Sequence, residues 1–172
     1  MKLYKVLAKG GIPCNGKGTW FLPKNEKHGK WMPVIEGELI PCRNGYHLCC
    51  LEDLLLWLNE EIWEAEGRGD KIECDDKIVF RQARLICKIR GWSEKTARLF
   101  AADCANHVLP LFEKMMPEDK RPRKAIQAAR DFANGIIDIK DLAAAWAAAW
   151  AAAWDAEKKW QNERLSFYLS KH

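Results

Sequence analysis

Residues 138–160 read DIKDLAAAWAAAWAAAWDAEKKW, and the folding of this stretch decides the architecture of the second half of the chain. Alanine is the best helix former, and neither glycine nor proline interrupts the run, so one continuous helix is predicted. Asp138 or Asp141 is placed to cap its start, and the pattern can continue to about residue 169. At 1.5 Å per residue that is a rod of roughly 40 Å. Trp146, Trp150 and Trp154 recur every four residues. Three indoles therefore share one face, drifting by about 40° per step because four residues overshoot a turn. The ordinary reading packs them on neighbouring helices, since indoles supply buried area that alanine lacks. A sharper reading makes Trp146, Trp150 and Trp154 a partner-binding ridge, because tryptophan is enriched in interface hot spots. A membrane-surface helix would need a Lys/Arg stripe that the polar face does not carry.

Two shorter helices are expected just upstream. Ser93 is a good N-cap, and Glu94 suits the positive end of the helix dipole. The first helix should run to about Met116, burying Leu99, Phe100, Cys104, Val108, Leu111, Phe112 and Met115, with Pro117 closing it. His107, near Asp103, reads as a structural histidine facing the helix interior. A second helix begins near Pro122, which the first turn tolerates, and stops at Gly135. Lys120, Arg121, Arg123 and Lys124 crowd its start. Exposed main-chain N–H groups beside cations make an anion site; the alternative is solvated charge, paired with Glu118 and Asp119.

The first ninety residues read differently. LYKVLA at 3–8 is a strand ended by Gly10-Gly11, and 12–33 is loop chemistry anchored by Trp20, Phe21 and Trp31. A short strand is expected over 34–40, with Gly37 as a bulge, then a tight turn at Asn44-Gly45. Residues 51–66 read as a helix, with Leu54, Leu55, Leu58, Ile62 and Ala65 at three- and four-residue steps, ended by Gly67 and Gly69. An acidic turn over 70–76 leads into the clearest strand, KIVFRQARLICKI at 77–89, expected to pair with the first strand. The expected fold class is α+β: a small mixed sheet with one helix in residues 1–92, and a bundle of three helices in residues 93–172.

The hydrophobic fraction is 48%, but ten of the 21 alanines fall between residues 143 and 156, so it overstates the core. Net charge is +4 and spread evenly over both halves. A nucleic-acid binder concentrates its cations in a stripe or arm, so the sequence points away from nucleic acid. Seven cysteines, an odd count, and no apolar leader at the start argue for a reducing, cytoplasmic location. No run approaches the roughly 20 apolar residues that span a bilayer. Cys42, His47, Cys49 and Cys50, with Cys14 elsewhere, are enough ligands for zinc, but their spacing matches no standard finger. Structural thiols are expected there, and neither a metal nor a cofactor is assigned. A Cys49–His47 catalytic pair is the more remote alternative.

Residues 93–164, above all LFAADCA, RPRKAI and the AAAW repeats, resemble a family of phage and bacterial proteins labelled "putative immunity proteins". The resemblance implies a small accessory protein that neutralises another protein, phage or host encoded, by occluding it; it implies no catalytic residues. Residues 3–87 resemble small phage domains with a Cys-x-x-Gly-aromatic-His-x-Cys core, here Cys42 to Cys49. The layout of Gly45-Tyr46, the 51–66 segment and the strand at 78–86 is also similar to the ADP-ribosyltransferase fold. That likeness implies a nucleotide-using enzyme with a ligand pocket at Tyr46, His47 and Arg84. The first strand lacks the family's His or Arg, and no Glu follows the last strand where it could orient a ribose. The reading favoured is a non-enzymatic protein that acts by protein–protein contact.

Overall fold

A computed structural model describes residues 1–25 and 27–169. The chain divides into two compact units, Met1–Ser93 and Glu94–His172, and the fold is α+β.

The first unit is a curled five-stranded sheet in the order β2-β1-β4-β5-β3. Its strands are β1 (Leu3–Ala8), β2 (Ile12–Pro13), β3 (Tyr46–Leu48), β4 (Glu61–Glu73) and β5 (Ile78–Lys88). Every pairing is antiparallel, so the sheet is not mixed. β5 pairs with β4 and β3 rather than with β1, because the short turn after Glu73 folds β5 straight back along its predecessor. The sheet curls until Tyr4 on β1 exchanges two main-chain hydrogen bonds, 2.9 and 3.0 Å, with Cys49 just beyond β3. Side chains leave both faces. Leu7, Leu48, Trp63, Phe80, Ala83 and Leu85 build one cluster, while Val6, Cys49, Leu54 and Ile62 build a second.

The helix expected over 51–66 does not form. Only Leu54–Trp57 makes a short 3-10 turn, and from Glu61 the chain is β4. Leu54, Leu58 and Ile62 do sit four apart, but the spacing is fortuitous: Leu54 belongs to the turn and Ile62 to the sheet. Pairing with β5 overrides the helical preference of Leu and Glu, as tertiary context does for β structure generally. Gly67, expected to end a helix, lies within β4 against the Phe80 ring, where a Cβ would come within 2.3 Å of Cγ. Asp70 to Glu73, expected as a turn, continue β4 past a register shift between Arg68 and Lys71. Residues 34–40 form no strand. The preceding chain instead runs beside β5 through Gly29, Met32 and Ile35, whose amides donate to Leu85, Ala83 and Arg81. Trp31 fixes this run, with the Arg68 and Arg84 guanidiniums 4.0 and 4.7 Å from its ring centre.

The second unit comprises α1 (Glu94–Met115), α2 (Arg121–Ala133) and α3 (Ile139–Leu169). α2 packs on both α1 and α3. Asp138 caps α3, its Oδ1 accepting from the amides of Lys140 and Asp141 at 2.8 and 3.0 Å. The tryptophan-bearing segment is thus one unbroken helix. α1 presents to its neighbours a different face from the one expected. Ala102 and Leu109 are its buried residues, whereas Phe100, Val108, Leu111 and Met115 are exposed, as are Cys104 and His107. At about 100° per residue, the exposed set lies on the side of the helix away from Leu109. Both faces carry apolar residues, so periodicity alone could not choose between them.

Candidate functional site

The helical unit is built on alanine. On α3 the residues turned inward are Leu142, 5% exposed, and Ala152, 0% exposed, with Ala145, Ala148 and Ala149 partly covered. Small side chains let α3 lie close to its neighbour, and they leave the indoles no room on that side. Trp146, Trp150 and Trp154 accordingly project outward at 53, 75 and 72% exposure. The ordinary expectation of indoles packed on adjacent helices therefore gives way to an aromatic ridge in the open.

The basic cluster at the start of α2 is largely taken up within the unit. Arg121 meets Asp119 at 2.6 Å and Asp155 of α3 at 2.8 Å. These partners raise the pKa of its guanidinium further still. Arg123 forms a two-pronged pair with Glu113 of α1, at 2.9 and 2.7 Å, which holds that carboxyl below its usual range. The Lys120 ammonium donates to the carbonyl of Pro117. Lys124 is exposed. Two of the four cations thus tie α2 to its neighbours.

In the sheet unit, Tyr46 and His47 on β3 line a pocket of about 840 Å³ that also takes in β1 and the 13–21 segment. Arg84 is not among the residues lining it. Its guanidinium binds Glu66 and stacks on Trp31, so the expected trio is not brought together. Tyr46 donates its hydroxyl to Pro33 O at 2.9 Å and sits edge-on to Trp20, ring centres 5.4 Å apart. His47 accepts from the Cys42 amide at Nε2, 2.9 Å, which leaves Nδ1 as the protonated nitrogen. Burial lowers its pKa, and the nearby Lys5 and Lys77 ammoniums add to the effect.

Cys49 is buried, and loss of hydration pushes its thiol up to about 11. That thiol is protonated at neutral pH and a poor nucleophile. Cys14 and Cys42 are exposed and Cys50 is half-buried. No group of three or more His, Cys, Asp or Glu side chains among the described residues could hold a metal ion.

Sequence reasoning passed over Lys5, the charged residue of β1. Its ammonium reaches into the pocket, donating to His47 O at 3.3 Å and lying 5.2 Å from the Trp20 ring centre. Burial lowers its pKa. One signal was present in the chain: a lone cation in the otherwise apolar LYKVLA. Among the described residues, no helix is long and apolar enough to cross a membrane.

No curated protein and no solved structure matches this chain. Residues 88–166, which span α1, α2 and most of α3, do match the model of a family described as Imm-5 like putative immunity protein, so the helical half of the chain is similar to the kind of family that its sequence resembles.

Proposed function

We propose that this protein works by binding another protein and occluding it, as an immunity-type or counter-defence inhibitor, phage or bacterial in origin, and that the α3 ridge is the surface that makes contact. The observation that carries this reading is the exposure of Trp146, Trp150 and Trp154 on a helix that packs through alanine. Soluble proteins seldom leave three large rings in line facing water, since contiguous apolar patches mark contact sites. The family match of the helical half supports a protein partner. Lys120 and Lys124, at the start of α2, would then serve as a cationic rim for acidic groups on that partner.

The test is affinity purification of the full chain from the cell that encodes it, beside Trp150→Ala. Truncating a hot-spot tryptophan costs about 2 kcal/mol or more of binding, so the partner held by the parent protein should be lost from the variant. The melting temperature should stay within about 2 °C, because surface substitutions usually change stability by less than 0.5 kcal/mol. Undiminished capture by Trp150→Ala, or a core-sized fall in its melting temperature, would refute the ridge as the contact surface.

A further inference from the structure

The pocket of the sheet unit carries a charge pattern that the partner-binding role does not use. Four cationic residues line it, Lys5, Lys17, Arg43 and Lys77, and no carboxylate among the described residues does. Lys77 is balanced from outside the lining by Asp76 at 2.7 Å. Among the described residues Lys5 has no such counter-charge: its ammonium donates to one carbonyl and lies over one aromatic ring. An ammonium drawn into protein without an anion is costly, and an ammonium has three protons to donate. The pocket is also the right size for a small molecule, which commonly occupies about 300–1,000 Å³. Phe21 and Trp57 offer apolar surface on its wall, Phe21 exposed and Trp57 half-buried.

We infer that this pocket binds a small phosphate ester of a ring compound, its phosphate on Lys5 and its ring against the aromatic wall. A phosphate dianion supplies a counter-charge that the described residues do not give Lys5. Lys17 and Arg43, both exposed, lend attraction at the mouth. The site lies wholly within Met1–Ser93.

The experiment is isothermal calorimetry on the full chain with the four common ribonucleoside monophosphates, the matching nucleosides and inorganic phosphate. At least one monophosphate should bind about tenfold or more tightly than its own nucleoside and than inorganic phosphate. Lys5→Met keeps the apolar stem and removes the charge. It should cut that affinity by at least about tenfold, while the ligand-free protein melts at the same or a higher temperature. A lysine held there for structure would show the reverse, a lower melting temperature. Should Lys5→Met fail to fold, the exposed pair Lys17→Ala/Arg43→Ala provides the second reading, with affinity expected to fall several-fold. The inference is overturned if no monophosphate gives saturable heat at millimolar concentration, or if the nucleosides bind equally well. It is also overturned if a folded Lys5→Met, or the double variant, binds as the parent does.

Discussion

At the scale of single residues, His47 shows how the pocket sets its own chemistry. The Cys42 amide donates to Nε2, and Cys42 reaches that position in a left-handed conformation at φ 64°, which a non-glycine residue adopts at some cost. Protonating Nε2 would remove the acceptor that holds this turn. Burial, followed by the Lys5 and Lys77 charges, keeps the imidazole below its ordinary pKa. A group whose pKa is depressed by folding contributes stability that is fully present above its unfolded value, near 6.5 for histidine. That contribution is lost as pH falls through the folded pKa, because the unfolded chain then binds the extra proton. An NMR titration should therefore find the His47 midpoint below the ordinary histidine value of about 6.5, and thermal stability should decline on acidification from about that pH. In Lys5→Met the midpoint should move up but stay depressed, since burial is the larger cause. A His47 midpoint at or above about 6.5 would contradict the geometry at Cys42.

At the scale of elements, the three helices were legible almost to the residue, while one of the strands was read as a helix. The difference is physical. Helices carry their own signals locally: Glu94 in a first turn, Pro122 at a helix start, Gly135 at φ 72° after α2. β4 has no such autonomy. Its Leu- and Glu-rich lead-in favours a helix locally, and only β1 and β5 on either side make it a strand. Lys5, likewise, stood out in the sequence only as a lone cation in an apolar strand, and the curl that brings β3 beside β1 is what makes it a pocket residue. Which face of α3 turns inward was also beyond the reach of pattern, since alanine lies on every side of it. The structure assigns that face, and neighbouring alanines offer a clean check. Ala152→Leu forces a larger side chain into a filled position and should destabilise by about 1–3 kcal/mol. Ala153→Leu, on exposed surface, should be near neutral, within about 0.5 kcal/mol. Denaturant midpoints of the two variants measure the contrast, and equal values would mean that α3 is rotated from the orientation described.

At the scale of the whole molecule, the two units differ in how much core each has. In the sheet unit Leu7, Leu48, Leu85 and Val79 are fully enclosed, and Trp20, Trp63 and Phe80 pack with them. Among its described residues, the helical unit buries only Ala102, Leu109, Ala125, Leu142 and Ala152, and three of those five are alanines with little area to remove from water. Ordering a residue costs on the order of 1–2 kcal/mol of backbone entropy, and apolar burial is the main term that offsets it. A helical layer so thinly cored should open more readily than the sheet. Native-state hydrogen exchange of the full chain reads this directly, because local openings span from near zero up to the global stability. The slowest amides should be those of β4 and β5 that bond across the ladder, exchanging through global unfolding. Amides in the middle of α1, α2 and α3 should exchange faster, at a lower opening free energy. Under the proposed role, an apolar surface so thinly supported would gain its missing burial from the protein that covers it. The α3 amides should therefore approach the protection of the sheet once the partner recovered in affinity purification is added. Uniform protection across both units in the isolated protein would show that the helices already have the core they need, and the argument from an incomplete core to a partner would fail.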